Sequence, residues 1–231
     1  MTRKFGFLAV SSMLIGLGVN AWAIGQVTAT SYSTGGVASA SARGVGSTNL
    51  NAVAVSSGGG IARATMVGDG TFGGHATGSA VAATHRGVAI ANGSSSARGF
   101  GAVANSNTLA ASHRGMAVAN GSAIARGNAW AGSNSTAVTH GGVAISNSHA
   151  RANGRLGGRG VASSTAVSAT DFGVGISDSR ALSNGILGGT AVSRSEAYSV
   201  GHGGFRRSAA AAHSTGMFGG FGSSHAVDIR F

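Results

Sequence analysis

The chain has 231 residues and a formal net charge of +11, contains neither cysteine nor proline, and is rich in glycine, with 42 residues. The missing cysteine excludes a disulfide framework, and the missing proline favours backbone N–H groups that donate to strand ladders over a disordered linker. Only five residues are acidic, so paired carboxylates for acid/base catalysis are scarce and the one-signed charge favours anionic partners.

Residues 1–23 are predicted to be a signal peptide. Arg3 and Lys4 precede an apolar run, which ends at Ala21-Trp22-Ala23, an A-x-A cleavage pattern. The run is shorter than the about 20 apolar residues that a membrane span needs, so we expect cleavage after Ala23 and no transmembrane span in the mature chain. The mature chain is then exported to the bacterial cell surface or the extracellular space, with the periplasm as the alternative.

A repeat organises residues 81–204, and a degenerate form of it covers residues 24–80. The segment "HRGVAIANGSSSARG" at 85–99 returns 28 residues later as "HRGMAVANGSAIARG", with a weaker copy between them. The period is therefore about 14, and each unit holds two short runs in which aliphatic and small residues alternate, as in strands. This pattern predicts an all-β fold, a parallel β-roll or β-solenoid with repeats of about 14 residues and two short strands per coil.

The aliphatic residues of the alternating runs are predicted to face the interior. Helix is the competing interpretation because alanine is abundant, but frequent glycine and strict alternation oppose it, and only residues 206–214 could form a short helix. The predicted core comprises Val88, Ile90, Met116, Val118, Val143, Ile145, Val174 and Ile176.

Residues 205–231 form a phenylalanine-rich segment that we interpret as a C-terminal cap or docking segment. Four of the nine phenylalanines lie there, and apolar side chains could cover the last coil, whose open edge would otherwise recruit other chains. The final "AVDIRF" alternates like the C-terminal strand of an outer-membrane barrel, which is the alternative interpretation.

The units "GVAIANGSSSARG" and "GMAVANGSAIARG" resemble the head repeats of trimeric autotransporter adhesins over about residues 80–200. The resemblance implies a left-handed parallel β-roll with two strands per coil. It also implies exposure at the cell surface, a role as an adhesive or spacer domain, and a homo-oligomer, specifically a trimer. The chain departs from that family because it has no heptad stalk and no run of amphipathic anchor strands after residue 205.

Arginine supplies the candidate binding residues. Arg98 and Arg126 occupy the same place in their units, and Arg151 follows near that phase. Stacked guanidinium groups suit the phosphate or carboxylate groups of a polymer. We therefore predict an anionic surface glycan or lipopolysaccharide as the partner, and we disfavour nucleic acid because the aromatic side chains of a stacking platform are missing.

Histidine also recurs, at His85, His113 and His140, so a roll would place these residues near one side. A metal or pH-sensing ladder is conceivable there, but we expect solvent-facing repeat positions without a metal. The sequence shows no catalytic constellation, so we predict no enzyme activity and no cofactor.

Together these patterns predict a secreted or cell-surface protein, structural or adhesin-like and non-catalytic. One alternative is a disordered or self-assembling Gly/Ala/Ser-rich extracellular matrix protein. The other is a cationic binder of anionic glycans, lipopolysaccharide or nucleic acid.

Overall fold

The computed structural model describes residues 17–22, 25–70, 74–154, 159–186, 189–217 and 221–230, and the described chain forms a parallel β-solenoid. All pairings between its strands are parallel, so the predicted all-β class is confirmed. The strands are β1 (Leu17–Trp22), β2 (Gly25–Thr34), β3 (Val37–Val45), β4 (Thr48–Ser57), β5 (Ile61–Gly70), β6 (His75–Arg98), β7 (Ala102–Arg126), β8 (Ala129–Gly154), β9 (Arg159–Ile186), β10 (Thr190–Val200), β11 (Gly203–Met217) and β12 (Phe221–Arg230).

One coil of the solenoid closes after about 28 residues. Ile90 pairs with Val118, and Val118 pairs with Ile145 in the following coil. Ladder partners are separated by 28, 27 and 31 residues at successive coils. The 14-residue unit of the sequence is therefore half a coil, and two units are needed before the chain returns to its own ladder.

Each coil contributes to two faces. The front face holds β2, β4, β10, β12 and the first part of each long strand, such as residues 102–112 of β7. The back face holds β1, β3, β5, β11 and the second part, such as residues 114–126 of β7. The four long strands β6–β9 pass through both faces, so each of them makes a whole coil.

Glycine forms the corner where the front face turns into the back face. Gly87, Gly115, Gly142 and Gly173 have φ angles of 140°, 143°, 144° and 152°. A Cβ atom at Gly142 would lie 1.9 Å from the carbonyl oxygen of Gly115. Because successive corners approach this closely, only glycine fits the column.

The interior is thin and is lined by alanine, serine and glycine. Alanine makes up almost all of the two buried apolar clusters, and a Cβ atom at Gly121 would already lie 2.7 Å from Ser133 Oγ. The larger buried side chains Leu50 and Met66 fit because Gly78 lies between them, where a Cβ atom would be 3.0 Å from Met66 Cγ.

The predicted core was wrong, because its residues point outward on the back face. Their sequence neighbours, such as Ala117 and Ala119, are fully buried, whereas Met116 is 38% exposed. Alternation separates two sets of side chains but does not say which set is inside, and the narrow interior admits only the smaller set. The outward residues are Val88, Ile90, Met116, Val118, Val143, Ile145, Val174 and Ile176.

The C-terminal segment continues the solenoid. Strand β11 pairs with β9 on the back face, and β12 pairs with β10 on the front face. Residues 206–214 are strand, so the short helix considered for them is not formed. Among the described residues, neither strand has a partner on its other side.

The predicted signal peptide falls mostly outside the described residues. Ala21 lies in β1, which pairs with β3, and Ala23 is not described. Cleavage after Ala23 stays a prediction. Among the described residues, no helix has the length and apolar character to cross a membrane.

Candidate functional site

A column of histidines runs along the front-to-back corner. The rings of His85 and His113 stack with centroids 5.0 Å apart and planes 6° from parallel, and His113 and His140 stack at 5.0 Å and 1°. Asp171 continues the column, with its Oδ2 atom 2.7 Å from His140 Nδ1. The prediction that these histidines lie on one side is confirmed, and we call His85, His113, His140 and Asp171 the histidine column.

The local sequence explains this column. Each member comes two residues before a corner glycine, as in "HRG" at 85–87 and 113–115. Since parallel strands pair in register at about 4.8 Å, equal distances from the corner place equal side chains above one another. The column therefore follows from the same glycines that form the corner.

The electrostatic environment opposes protonation of the central ring. The pKa of His113 is lowered by loss of hydration between its neighbours, then by His140 and His85, and further by Arg114 and Arg86. The two arginines pair in register next to the histidines. The corner is thus a cationic edge on which additional positive charge is disfavoured.

A shallow depression lies beside the histidine column on the front face. Its volume is about 460 Å³. The small side chains of Ala83 and Ala111, which pair in register, form its floor, and the imidazole rings form one wall. Val55 and Val138 line its two axial ends. The depression is apolar and open to solvent.

The structure brings together two of the three predicted anion-binding arginines. Arg98 pairs directly with Arg126 in the next coil, and both are exposed at the end of the back face. Arg151 pairs with Ile124, whereas Arg126 pairs with Asn153. The predicted row of three is therefore a pair. Arg151 lies one outward position away, because it stands two residues before Asn153, the ladder partner of Arg126.

The outward side of the back face carries two adjacent aliphatic columns. The column nearer the corner contains Ile61, Val88, Met116, Val143, Val174 and Phe205. The next contains Ile90, Val118, Ile145 and Ile176 between Arg63 and Arg207.

An asparagine ladder borders the second aliphatic column. Asn120 Nδ2 donates to Asn92 Oδ1 at 3.0 Å, and Asn147 Nδ2 donates to Asn120 Oδ1 at 2.9 Å. Each amide satisfies its neighbour across coils, so the ladder fixes the register.

Most described arginines lie on the back face or its corner, which sequence reasoning missed. On the front face, Arg194 forms an ion pair with Glu196, and Arg159 is exposed at the start of β9. The repeated "HRG" was the available signal for Arg86 and Arg114. The exposed arginines of the back face are Arg43, Arg63, Arg98, Arg126, Arg151, Arg180 and Arg207.

The side chains of the histidine column do not surround a common point. Within the part of the chain that the structure describes, no group of three or more histidine, aspartate or glutamate side chains is arranged to hold a metal ion. His202 follows Asp171 at the next corner, and its Nδ1 atom lies 4.0 Å from Asp171 Oδ1. The imidazoles stack face to face instead of converging on a point.

The architecture and its ladders define a parallel β-solenoid protein. No family model, curated protein or solved structure matches this chain. Of the features that the resemblance to adhesin heads implies, the structure therefore supports the parallel β-solenoid fold.

Proposed function

We propose that the chain is an exported, non-catalytic repeat protein of the cell surface, structural or adhesin-like. The observation that carries this proposal is the stacking of like outward side chains in successive coils, as in Asn92–Asn120–Asn147 and Arg98–Arg126. A solenoid holds such columns in fixed register over its length. This arrangement suits attachment to an extended, repetitive partner more than enclosure of a small molecule.

The test is production of the full chain, with residues 1–23, in a bacterium that exports proteins through such leaders. We expect cleavage after Ala23, accessibility to protease added to intact cells, and increased adhesion to a surface coated with an acidic polysaccharide. Uncleaved protein retained in the cytoplasm, or adhesion equal to that of cells without the protein, contradicts the proposal.

The ligand class that we propose for adhesion is an anionic glycan, bound at the paired guanidinium groups of Arg98 and Arg126. Replacing both by Gln removes two adjacent charges from one edge of the back face. A matched variant, Arg159→Gln/Arg194→Gln, removes two charges elsewhere. Adhesion should fall more in the first variant, whereas equal losses would mean that net charge alone acts.

The resemblance to adhesin heads adds a proposed oligomer, a trimer. Light scattering of the purified mature protein tests it directly, because a trimer has three times the mass of the chain. A monomeric mass at all accessible concentrations contradicts it.

A self-assembling matrix protein is the second candidate. It is favoured by β11 and β12, whose outer edges have no partner among the described residues. An unpaired strand edge is a template for another chain. End-to-end stacking would give a lag in assembly that shortens with concentration and disappears with preformed seeds. Assembly without a lag, or no assembly, contradicts this candidate.

A further inference from the structure

The back face exposes a continuous apolar strip where a water-soluble protein usually presents polar groups. Ile61 is 40% exposed and Met116 is 38% exposed, and Phe205 at the end of the same column is 60% exposed. The second aliphatic column lies one outward position away and is half-buried by its neighbours. Large contiguous apolar patches of this kind mark interaction surfaces.

Arginines frame this strip. Arg86 and Arg114 border its corner edge, and Arg63 and Arg207 occupy the two ends of the second aliphatic column. None of the four forms an ion pair with a described residue. Exposed guanidinium groups around aliphatic side chains are complementary to a partner that is both apolar and anionic.

A second copy of the back face does not meet this requirement. The outward acidic residues described there are Asp69 and Asp178, and Asp178 already lies 3.6 Å from Arg180. Packing two back faces together would therefore oppose arginine with arginine. A soluble polyanion would neutralise the arginines but would leave the aliphatic columns in water.

We propose that the back face docks on a lipid surface with anionic headgroups. The aliphatic columns enter the boundary between headgroups and acyl chains, while the framing arginines contact headgroup phosphates. Peripheral proteins combine the same two contributions, apolar burial and electrostatic attraction to anionic lipid. This inference goes beyond the proposed adhesive role and does not rest on it, because purified protein and vesicles suffice to test it.

The first experiment is co-sedimentation of the mature protein with vesicles of phosphatidylcholine, with and without phosphatidylglycerol. Binding is expected only to the anionic vesicles and should weaken with salt. Arg86→Gln/Arg114→Gln is expected to lower the affinity about 30-fold, from the typical contribution of a basic residue at such a surface. The control Arg159→Gln/Arg194→Gln removes the same charge and should change affinity much less.

The second experiment tests the aliphatic columns at constant charge. Val118→Thr/Ile145→Thr changes two residues that pair in register on the back face, and Val81→Thr/Leu109→Thr changes an equivalent pair on the front face. Thr retains the strand preference of a β-branched residue. Circular dichroism first confirms that both variants retain the strand spectrum of the wild type.

Only the back-face pair should weaken vesicle binding, by about tenfold or more. Equal losses from the two faces would overturn the proposal. The proposal would also be overturned if the wild-type protein did not bind anionic vesicles but bound a sulfated polysaccharide. That result would identify a soluble polyanion as the partner. A dimer that Val118→Thr/Ile145→Thr dissociates would overturn it in favour of a second copy.

Discussion

The glycine corner leads to a prediction in which two neighbouring substitutions behave differently. Gly142 has a φ of 144°, and a Cβ atom there would lie 1.9 Å from the carbonyl oxygen of Gly115. An L-residue in such a conformation costs about 1–3 kcal/mol. Relief of the clash must separate two coils, and each inter-coil hydrogen bond that is lost adds about 1 kcal/mol. We expect Gly142→Ala to lower the free energy of unfolding by about 2–4 kcal/mol.

Thermal unfolding followed by far-ultraviolet circular dichroism measures this difference. A loss of 1 kcal/mol lowers Tm by about 2–4 °C in a chain of this length, so Gly142→Ala should lower Tm by about 5–15 °C. The control is Gly141→Ala, because the nearest atom to a Cβ atom at Gly141 is 3.8 Å away and its φ is not positive. An equal fall in Tm for the two variants would refute the close approach of the corners.

Three further predictions use the same unfolding measurements or a pH series. Ala119→Asp, inside the solenoid, should lower the free energy of unfolding by several kcal/mol because it buries an unpaired charge. Val118→Asp, on the outward side, should lower it much less, and the reverse order would contradict the assignment of inward and outward residues. Asn120→Ala should cost about 1 kcal/mol in urea unfolding, because it removes the hydrogen bonds to the half-buried Asn92 and the exposed Asn147, and an unchanged free energy of unfolding would show that the ladder does not stabilise the fold. Because folding lowers the pKa of His113 from 6.5, the unfolded chain binds more protons. Stability should therefore be complete above pH 6.5 and fall as the pH drops towards the lowered folded value, and His113→Gln should flatten that slope.

The sequence predicts the repeat and the columns but not the orientation of the strands. Copies 28 residues apart are nearly identical, so the stacking of His85 on His113 and of Arg98 on Arg126 could be predicted. The length of a coil could not be predicted, because the two halves of a coil have the same alternating pattern. They differ only in whether their strands pair on the front face or on the back face. The displacement of Arg151 from Arg126 could not be predicted either, because Asn153 and not Arg151 is the ladder partner of Arg126, and the register is known only from the fold.

The inward face could also have been recognised from a different property of the repeat. Between the copies, Val88 becomes Met116 and Ile90 becomes Val118, whereas the intervening alanines do not change. A position limited by the distance between two sheets tolerates no larger side chain, while an outward position tolerates several. Hydrophobicity alone assigns the larger residues to the interior and gives the wrong face.

The alanine interior also explains why the outward aliphatic residues can serve a partner. Burying a methyl group contributes about 0.8 kcal/mol, so each alanine stabilises a coil only slightly and the continuous backbone ladder must contribute much of the rest. Outward valines and isoleucines gain partial burial from their column neighbours and are not required to fill the core. Substituting Thr at Val118 and Ile145 should therefore preserve the ladder while removing apolar contact area. A loss of vesicle binding without a loss of strand structure would then report on the back face itself.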